Sequence, residues 1–483
     1  MVASTTTRFL KNTIWSFLGQ SSTVVIGLVT NIILARILSP FEFGQVGIIM
    51  FFITVINVLT EGGLGGALVR IKDISDEDYS TVFLFNLAIS LVFFLLLIAS
   101  SGAIANYYGD VKLKPLICVS SIIIVINAFN IVQNARIYRN MKFKVNLYIN
   151  IVSVVLSSSI GIYLAVKGYS VWSLVIMNLL LVLFKTILLW FTEGGVGKLK
   201  FNVVSFKGLY RYGIFVTLIS FFNNAFDNIY QLLLGKYFSI KQVGYFYQAK
   251  KMQGVPFFIL NSLSLGVIFS HLAHFQDDNK VFQKEYLKIL SIFSIVTAAL
   301  ASLIFLLAKD AVHIVLGSVW MESVVYMKLL TIASFFLLLK VYCQNICKVF
   351  NRTEKIFIWE LVAIFFQVVT IVIGIVTKSI FITLSGAIVS NLLAYLINSY
   401  YSWRLLGLKS DGEIIVIAKI VAASVIGVAI AAQIDLININ TVLHILLIPI
   451  VFMAIYVASL KILGVLDFKY ILNAYKSLRY NKV

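Results

Sequence analysis

Residues 35–47 read ARILSPFEFGQVG and residues 235–247 read GKYFSIKQVGYFY. At one offset of 200 residues, Arg36 falls on Lys236, Ser39 on Ser239 and Gly44 on Gly244. In each copy the motif closes one apolar run and opens the next. The same offset carries a polar stripe. Before the first copy, Gln20, Thr23, Gly27 and Asn31 recur at three- and four-residue steps, which puts them on one helix face. The matching positions are Ser220, Asn223, Asp227 and Gln231, with Asn224 and Asn228 beside them, and Glu61 maps onto Asn261. Polar groups are costly in lipid, so this face is expected against a protein interior or a wet cavity. Six apolar runs separate the copies, so both halves have the same orientation. Parallel repeats about an axis along the membrane normal are a transporter layout, with the substrate path between the bundles. Spans one, two, seven and eight would line it.

The composition of the 483 residues agrees. Hydrophobic residues make up 60% and charged residues 12%, against about 45–50% and about 25% in soluble domains. Mean hydropathy is +0.99. These figures exclude a soluble globule, a disordered chain, collagen and a secreted disulfide scaffold. The expected fold class is all-α, a polytopic membrane protein. Runs of about 20 apolar residues give fourteen expected spans, from 12–37 and 44–69 through 208–236 and 242–271 to 413–433 and 441–464. The expected organisation is residues 1–192 as one six-span lobe, 193–207 as a cytoplasmic linker, 208–405 as a second lobe, and 406–483 as two further spans with a tail. Counted over alternate loops, Lys and Arg favour the side of the N-terminus by about three to one, the positive-inside asymmetry. Both termini are expected in the cytoplasm. All six tryptophans fall near span ends, as expected of an interfacial belt. The net charge of +19 then reflects cytoplasmic loops and anionic lipid headgroups, not nucleic acid. Cys118, Cys343 and Cys347 lie in apolar runs and read as small core residues. No cleavable signal peptide is expected, since the first apolar run is long and continues as a span.

Residues 33–90, ILARILSPFEFGQVGIIMFFITVINVLTEGGLGGALVRIKDISDEDYSTVFLFNLAIS, and residues 230–256, YQLLLGKYFSIKQVGYFYQAKKMQGVP, resemble bacterial polysaccharide exporters of the Wzx type. These belong to the multidrug/oligosaccharidyl-lipid/polysaccharide superfamily, together with MATE pumps and the lipid II flippase. The resemblance covers nearly the whole chain. It implies two six-helix lobes forming a V, with two extra C-terminal helices. It also implies a flippase in the bacterial inner membrane that moves an undecaprenyl-diphosphate-linked oligosaccharide by ion-coupled alternating access, for O-antigen, exopolysaccharide or capsule assembly. A monomer is expected, with membrane lipids and other polysaccharide-assembly proteins as partners and no cofactor beyond a coupling proton or sodium ion.

A diphosphate calls for cations at membrane depth. Lys250 and Lys251 lie well inside span eight, and in related exporters the position of Lys251 usually carries a basic residue. Arg36 and Lys236 close spans one and seven, as cavity cations or as interfacial anchors. Lys340, deep in span ten, is a third source of positive charge. Gln20, Asn31, Asn223, Asn224, Asn228, Gln231 and Asn261 are the expected polar lining, or alternatively helix–helix hydrogen bonds. Asp227 and Glu61 are candidates for ion coupling or for structural salt bridges. The acidic run Asp73, Asp76, Glu77 and Asp78 suits a helix N-terminus and a gate contact.

No phosphate-binding glycine loop and no catalytic triad is present, so the chain is read as a transporter and not an enzyme. A membrane-bound glycosyltransferase or polymerase would need larger extramembrane loops. The alternative is a MATE-like cation or drug antiporter; such a pump favours an acidic cavity, whereas most deep charges here are basic.

Overall fold

The computed structural model describes residues 2–71, 73–350, 352–407, 411–436 and 441–465. Among them all regular secondary structure is helical. The chain divides into two compact units, Met1–Gln248 and Ala249–Val483. The first holds α1 (Val2–Ile37), α2 (Pro40–Glu61), α3 (Leu64–Arg70), α4 (Asp76–Tyr108), α5 (Leu113–Arg139), α6 (Phe143–Val166), α7 (Val171–Glu193), α8 (Val203–Tyr237) and the opening turns of α9 (Ile240–Leu263). There α1 packs on α6, α6 on α7 and α4 on α5, while α8 lies against α2, α3 and α4. The second unit holds the rest of α9 with α10 (Phe269–Ala273), α11 (Asn279–Ala311), α12 (Ser323–Val349), α13 (Thr353–Val376), α14 (Ile380–Leu406), α15 (Asp411–Ala431) and α16 (Thr441–Ile462). In it α14 packs on α12 and α13, and α11 on α12, α15 and α16.

Twelve helical stretches among the described residues are long and apolar enough to cross a bilayer, so this is a multi-pass membrane protein. Ser21–Ile37, the described end of α1, is a shorter apolar stretch.

Ser39 caps α2 in extended backbone with Pro40 at the first helical position, where a missing N–H costs nothing. The Glu42 carboxylate accepts from the Ser39 N–H at 2.6 Å. At α4, Ser75 accepts from the Asp78 N–H at 3.2 Å and Asp78 accepts from the Ser75 N–H at 2.9 Å. That reciprocal box is the part Asp78 of the acidic run plays, while Glu77 accepts from Asn202 Nδ2 at 3.1 Å.

The repeat appears as a reciprocal crossing of two helix starts. A Cβ added to Gly44 would run into the Ile240 carbonyl, and one added to Gly244 into the Pro40 carbonyl. Pro40 and Ile240 are themselves equivalent at the repeat offset. Each copy thus uses its glycine to admit the other's backbone.

The expected continuous span 44–69 is interrupted. Helix α2 stops at Glu61, and Gly62 and Gly63 adopt left-handed φ values of +58° and +62° before α3 begins. Only glycine adopts this conformation at little cost. The backbone of Gly213 packs against the pair so closely that a Cβ on Gly63 would meet its carbonyl. Glu61 is therefore a helix-terminal residue, not a mid-span one. Span eight is also irregular: Pro256 sits inside α9, and after Leu263 the helix widens into a π turn, Ser264–Ile268.

The stretch 193–202 is hydrogen-bonded to the first unit. The Arg136 guanidinium donates to the carbonyls of Glu193 at 3.2 Å and Gly195 at 2.8 Å. Lys142 pairs with the Glu193 carboxylate at 2.9 Å. The N–H of Lys200 donates to Ser80 Oγ at 2.7 Å, and that of Asn202 to Thr81 Oγ1 at 3.0 Å.

Three of the six tryptophans depart from the expected interfacial belt. Trp320 and Trp403 are 1% and 5% exposed, and Trp190 donates its indole N–H to the Phe129 carbonyl at 2.9 Å. They fill gaps between helices, so proximity to a span end did not make them interfacial.

Candidate functional site

On α8 the expected lining residues form a ladder along their own helix. Gln231 Nε2 donates to Asn228 Oδ1 at 3.3 Å, Asn228 Nδ2 to the Asn224 carbonyl at 2.9 Å, and Asn224 Nδ2 to the Ser220 carbonyl at 2.8 Å. Asn223 and Asp227 project from the exposed side of this ladder. On α1, Asn31 is buried, while the Gln20 side chain lies outside the described residues. Asn261 is half-buried on the last turn of α9, and its Oδ1 has no hydrogen-bond partner among the described residues.

The cations separate by what holds them. Lys236 is exposed; its ammonium donates to the Tyr107 carbonyl at 2.9 Å and lies 4.1 Å from the Tyr107 ring centroid. Lys340 is paired with Glu360 at 3.0 Å, and Gln344 donates to the same carboxylate at 2.8 Å. Both charges are matched by neighbours within their own units. Arg36 is exposed in the last turn of α1. Lys250 is half-buried and Lys251 exposed on α9, ten and eleven residues past Ile240, or about 15–17 Å along the axis at about 1.5 Å per residue. The structure adds Lys185, half-buried midway along α7 and without an ion-pair partner among the described residues.

Glu61 opens onto a cavity of about 450 Å³ in the first unit. Its carboxylate lies against the first turn of α3, where a Cβ added to Gly65 would come within 3.2 Å of Oε1. Asn57 and Thr60 line the cavity from α2, and Asn127, Asn130, Asn134 and Tyr138 from α5. Asn130 Nδ2 donates to Asn127 Oδ1 at 3.3 Å, while the Oδ1 atoms of Asn57 and Asn130 are buried without a hydrogen-bond partner among the described residues. None of these asparagines was singled out from the sequence. Their signal was present: Asn127, Asn130 and Asn134 stand at steps of three and four on one face of α5. Beneath them the Arg139 guanidinium donates to the carbonyls of Leu68 and Ile71, tying the end of α3 to α5.

A second polar centre, also unforeseen, lies in the second unit. Glu413, near the start of α15, is 2% exposed. Trp403 Nε1 donates to Oε2 at 2.6 Å and Ser399 Oγ to Oε1 at 2.7 Å. The hydroxyls of Tyr286 and Tyr395 donate at 3.3 and 3.4 Å, and the Cys343 thiol at 3.7 Å. All five partners are donors from α11, α12 and α14.

Residues 33–325 match the family described as polysaccharide biosynthesis protein. The chain is 24% identical over 318 residues to the succinoglycan biosynthesis transport protein ExoT of Rhizobium meliloti, covering 66% of this chain and 64% of that one. It is 23% identical to the lipopolysaccharide biosynthesis protein WzxC of Escherichia coli, over 66% and 65% of the two chains. It is 21% identical to the teichuronic acid biosynthesis protein TuaB of Bacillus subtilis, over 74% of each. The match thus spans a little under two thirds of the Rhizobium and Escherichia proteins. Among solved structures, the lipid II flippase MurJ in an inward closed conformation superposes with a TM-score of 0.72 at 14% identity, covering 94% of this chain and 98% of that one. An inward-facing multidrug resistance MATE family transporter of the MOP superfamily gives 0.62 at 14% identity, over 81% of this chain and 98% of that one. At such identities the likeness establishes the fold. With the family matched across well over half its length, the chain belongs to the polysaccharide biosynthesis protein family, on the fold of the multidrug/oligosaccharidyl-lipid/polysaccharide exporters.

Proposed function

We propose that this protein is a flippase that carries an undecaprenyl-diphosphate-linked oligosaccharide across the bacterial inner membrane, by ion-coupled alternating access, for surface polysaccharide assembly. Fourteen spans, two parallel six-helix lobes and cytoplasmic termini belong to the proposal. The observation that carries it is a pair of lysines, Lys250 and Lys251, at membrane depth on one helix of a family whose relatives are named for polysaccharide transport. A lipid-linked glycan presents a diphosphate, and an anion at that depth needs cations. Asp227 and Glu61 are the proposed coupling groups, with Asn223, Asn224 and Asn228 as oxygen donors beside Asp227. The protein is proposed to act as a monomer and without catalysis.

The test reconstitutes the protein in liposomes with fluorescent undecaprenyl-diphosphate oligosaccharide and follows its protection from an external reagent. Wild type should move the lipid, Lys251→Ala should not, and Asp227→Asn should lose dependence on a proton or sodium gradient. Efflux of organic cations with no movement of lipid-linked glycan would replace this reading with the antiporter.

A further inference from the structure

We infer that the cavity between α2, α3 and α5 is a saccharide subsite, which takes one neutral sugar, a hexose or N-acetylhexosamine, of the transported glycan. The inference rests on the flippase reading and adds where the glycan is recognised. Four carboxamides line the cavity, from Asn57, Asn127, Asn130 and Asn134, with the hydroxyls of Thr60 and Tyr138 and the carboxylate of Glu61. Carboxamides present donor and acceptor side by side, the arrangement that a ring of sugar hydroxyls matches. Two of the acceptors are already desolvated. The Oδ1 atoms of Asn57 and Asn130 are buried without partners among the described residues, and Asn130 is only 5% exposed. An unpaired buried oxygen is a standing cost that a ligand hydroxyl removes.

Size selects the ligand class. The cavity holds about 450 Å³, room for about fifteen waters at about 30 Å³ each. That is far more than a bare cation fills, since a cation needs oxygens converging on one point, and it is the scale of a small organic ligand. The walls are not uniformly polar. Val69, Ile131 and Ala135 supply apolar surface, and the Tyr138 ring is exposed beside them; a sugar likewise has C–H faces. Gly66 leaves its part of the wall bare, since a Cβ there would meet nothing within 4 Å. Among the lining residues Glu61 carries the only formal charge. A carboxylate accepts two sugar hydroxyls well and repels a uronic acid. The cavity lies at the end of α5 that carries Arg136 and Arg139, the end the charge distribution assigns to the cytoplasm, where a newly assembled lipid-linked glycan would enter.

The test measures binding to purified protein in nanodiscs of four synthetic lipids: bare undecaprenyl diphosphate, and the same lipid bearing N-acetylglucosamine, galactose or glucuronic acid. Wild type should prefer at least one neutral-sugar lipid to the bare lipid by about tenfold, a gain of about 1.4 kcal/mol, and should not prefer the glucuronyl lipid. Gly66→Leu fills the cavity without backbone strain and should bring the ratio of neutral-sugar to bare lipid close to one. Asn134→Ala should lower the ratio in part, and Glu61→Gln should raise relative affinity for the glucuronyl lipid. A Gly66→Leu protein that keeps the tenfold preference overturns the subsite, as does a wild type that binds all four lipids equally; both leave the flippase reading standing. Failure of wild type to bind any of the four would remove both readings together.

Discussion

Replacing Glu413 by alanine should destabilise the second unit far more than replacing it by glutamine. In alanine, five donors lose their acceptor. The hydroxyls of Ser399, Tyr286 and Tyr395 can rotate toward other acceptors, but the Trp403 indole N–H, now 2.6 Å from Oε2, is fixed by its ring. An orphaned buried donor costs about 1–3 kcal/mol, and hydrogen bonds to a charged acceptor contribute about 1.5–3 kcal/mol each. Relief from burying the carboxylate offsets part of this, so about 2–4 kcal/mol is expected for Glu413→Ala. Glutamine keeps the shape. With its oxygen toward Trp403 and its NH2 toward Ser399 and Tyr395, the hydroxyls can turn and accept, and the cost falls to about 1 kcal/mol. Reversible unfolding in mixed detergent micelles would read both variants, with Trp403→Phe completing a double-mutant cycle against Glu413→Ala. A coupling of about 1.5–3 kcal/mol is expected, because residues sharing a hydrogen bond are not additive. A Glu413→Ala protein as stable as wild type, or Ala and Gln variants of equal stability, would refute the reasoning and leave the carboxylate without a structural role.

Two further outcomes follow from the geometry. Gly244→Val puts a side chain into the Pro40 carbonyl; because backbone cannot yield as a flexible side chain does, the melting temperature in detergent should fall by several degrees, and an unchanged value would mean that the α2–α9 crossing is loose. Lys340→Met strands the Glu360 carboxylate at a site where the side chains are 12% and 21% exposed, costing about 1–3 kcal/mol, and adding Glu360→Gln should recover most of it in the same unfolding measurement.

The sequence made the helices legible because nearly every one announces itself by length and hydropathy. The repeat was legible for a different reason: Ser39 and Gly44, with their partners in the second copy, mark one local event, the start of a helix against another helix start. What escaped were the groups whose meaning depends on neighbours far along the chain. Glu413 reads as an ordinary acid at the foot of a span, since its donors are Tyr286, Cys343, Tyr395, Ser399 and Trp403, from three other helices. Asn127, Asn130 and Asn134 form a visible stripe, but it gains a cavity only when α2 ends at Glu61, and that end is set by two left-handed glycines against Gly213. Lys340 and Lys236 read from the sequence as cavity cations, Lys236 alternatively as an interfacial anchor, because their neighbours Glu360 and Tyr107 lie on different helices. Local pattern foretold the elements; pairing across elements decided which polar residues were spoken for.

The crossing of Gly44 with Ile240 and of Gly244 with Pro40 has a consequence for descent. The two crossing points are one sequence position seen twice, and each copy sets the ceiling for the other. Either glycine can be exchanged only if the opposing backbone withdraws, and that withdrawal also disturbs the glycine beside it. The two positions are therefore locked to a shared minimum size by sterics alone, whatever substrate the protein carries. Elsewhere positions at the same offset carry different residues, as Glu61 and Asn261 do. A trace of duplication should accordingly outlast divergence at such mutual contacts, and internal symmetry in a much-altered transporter is best sought where two copies of the same residue press on each other.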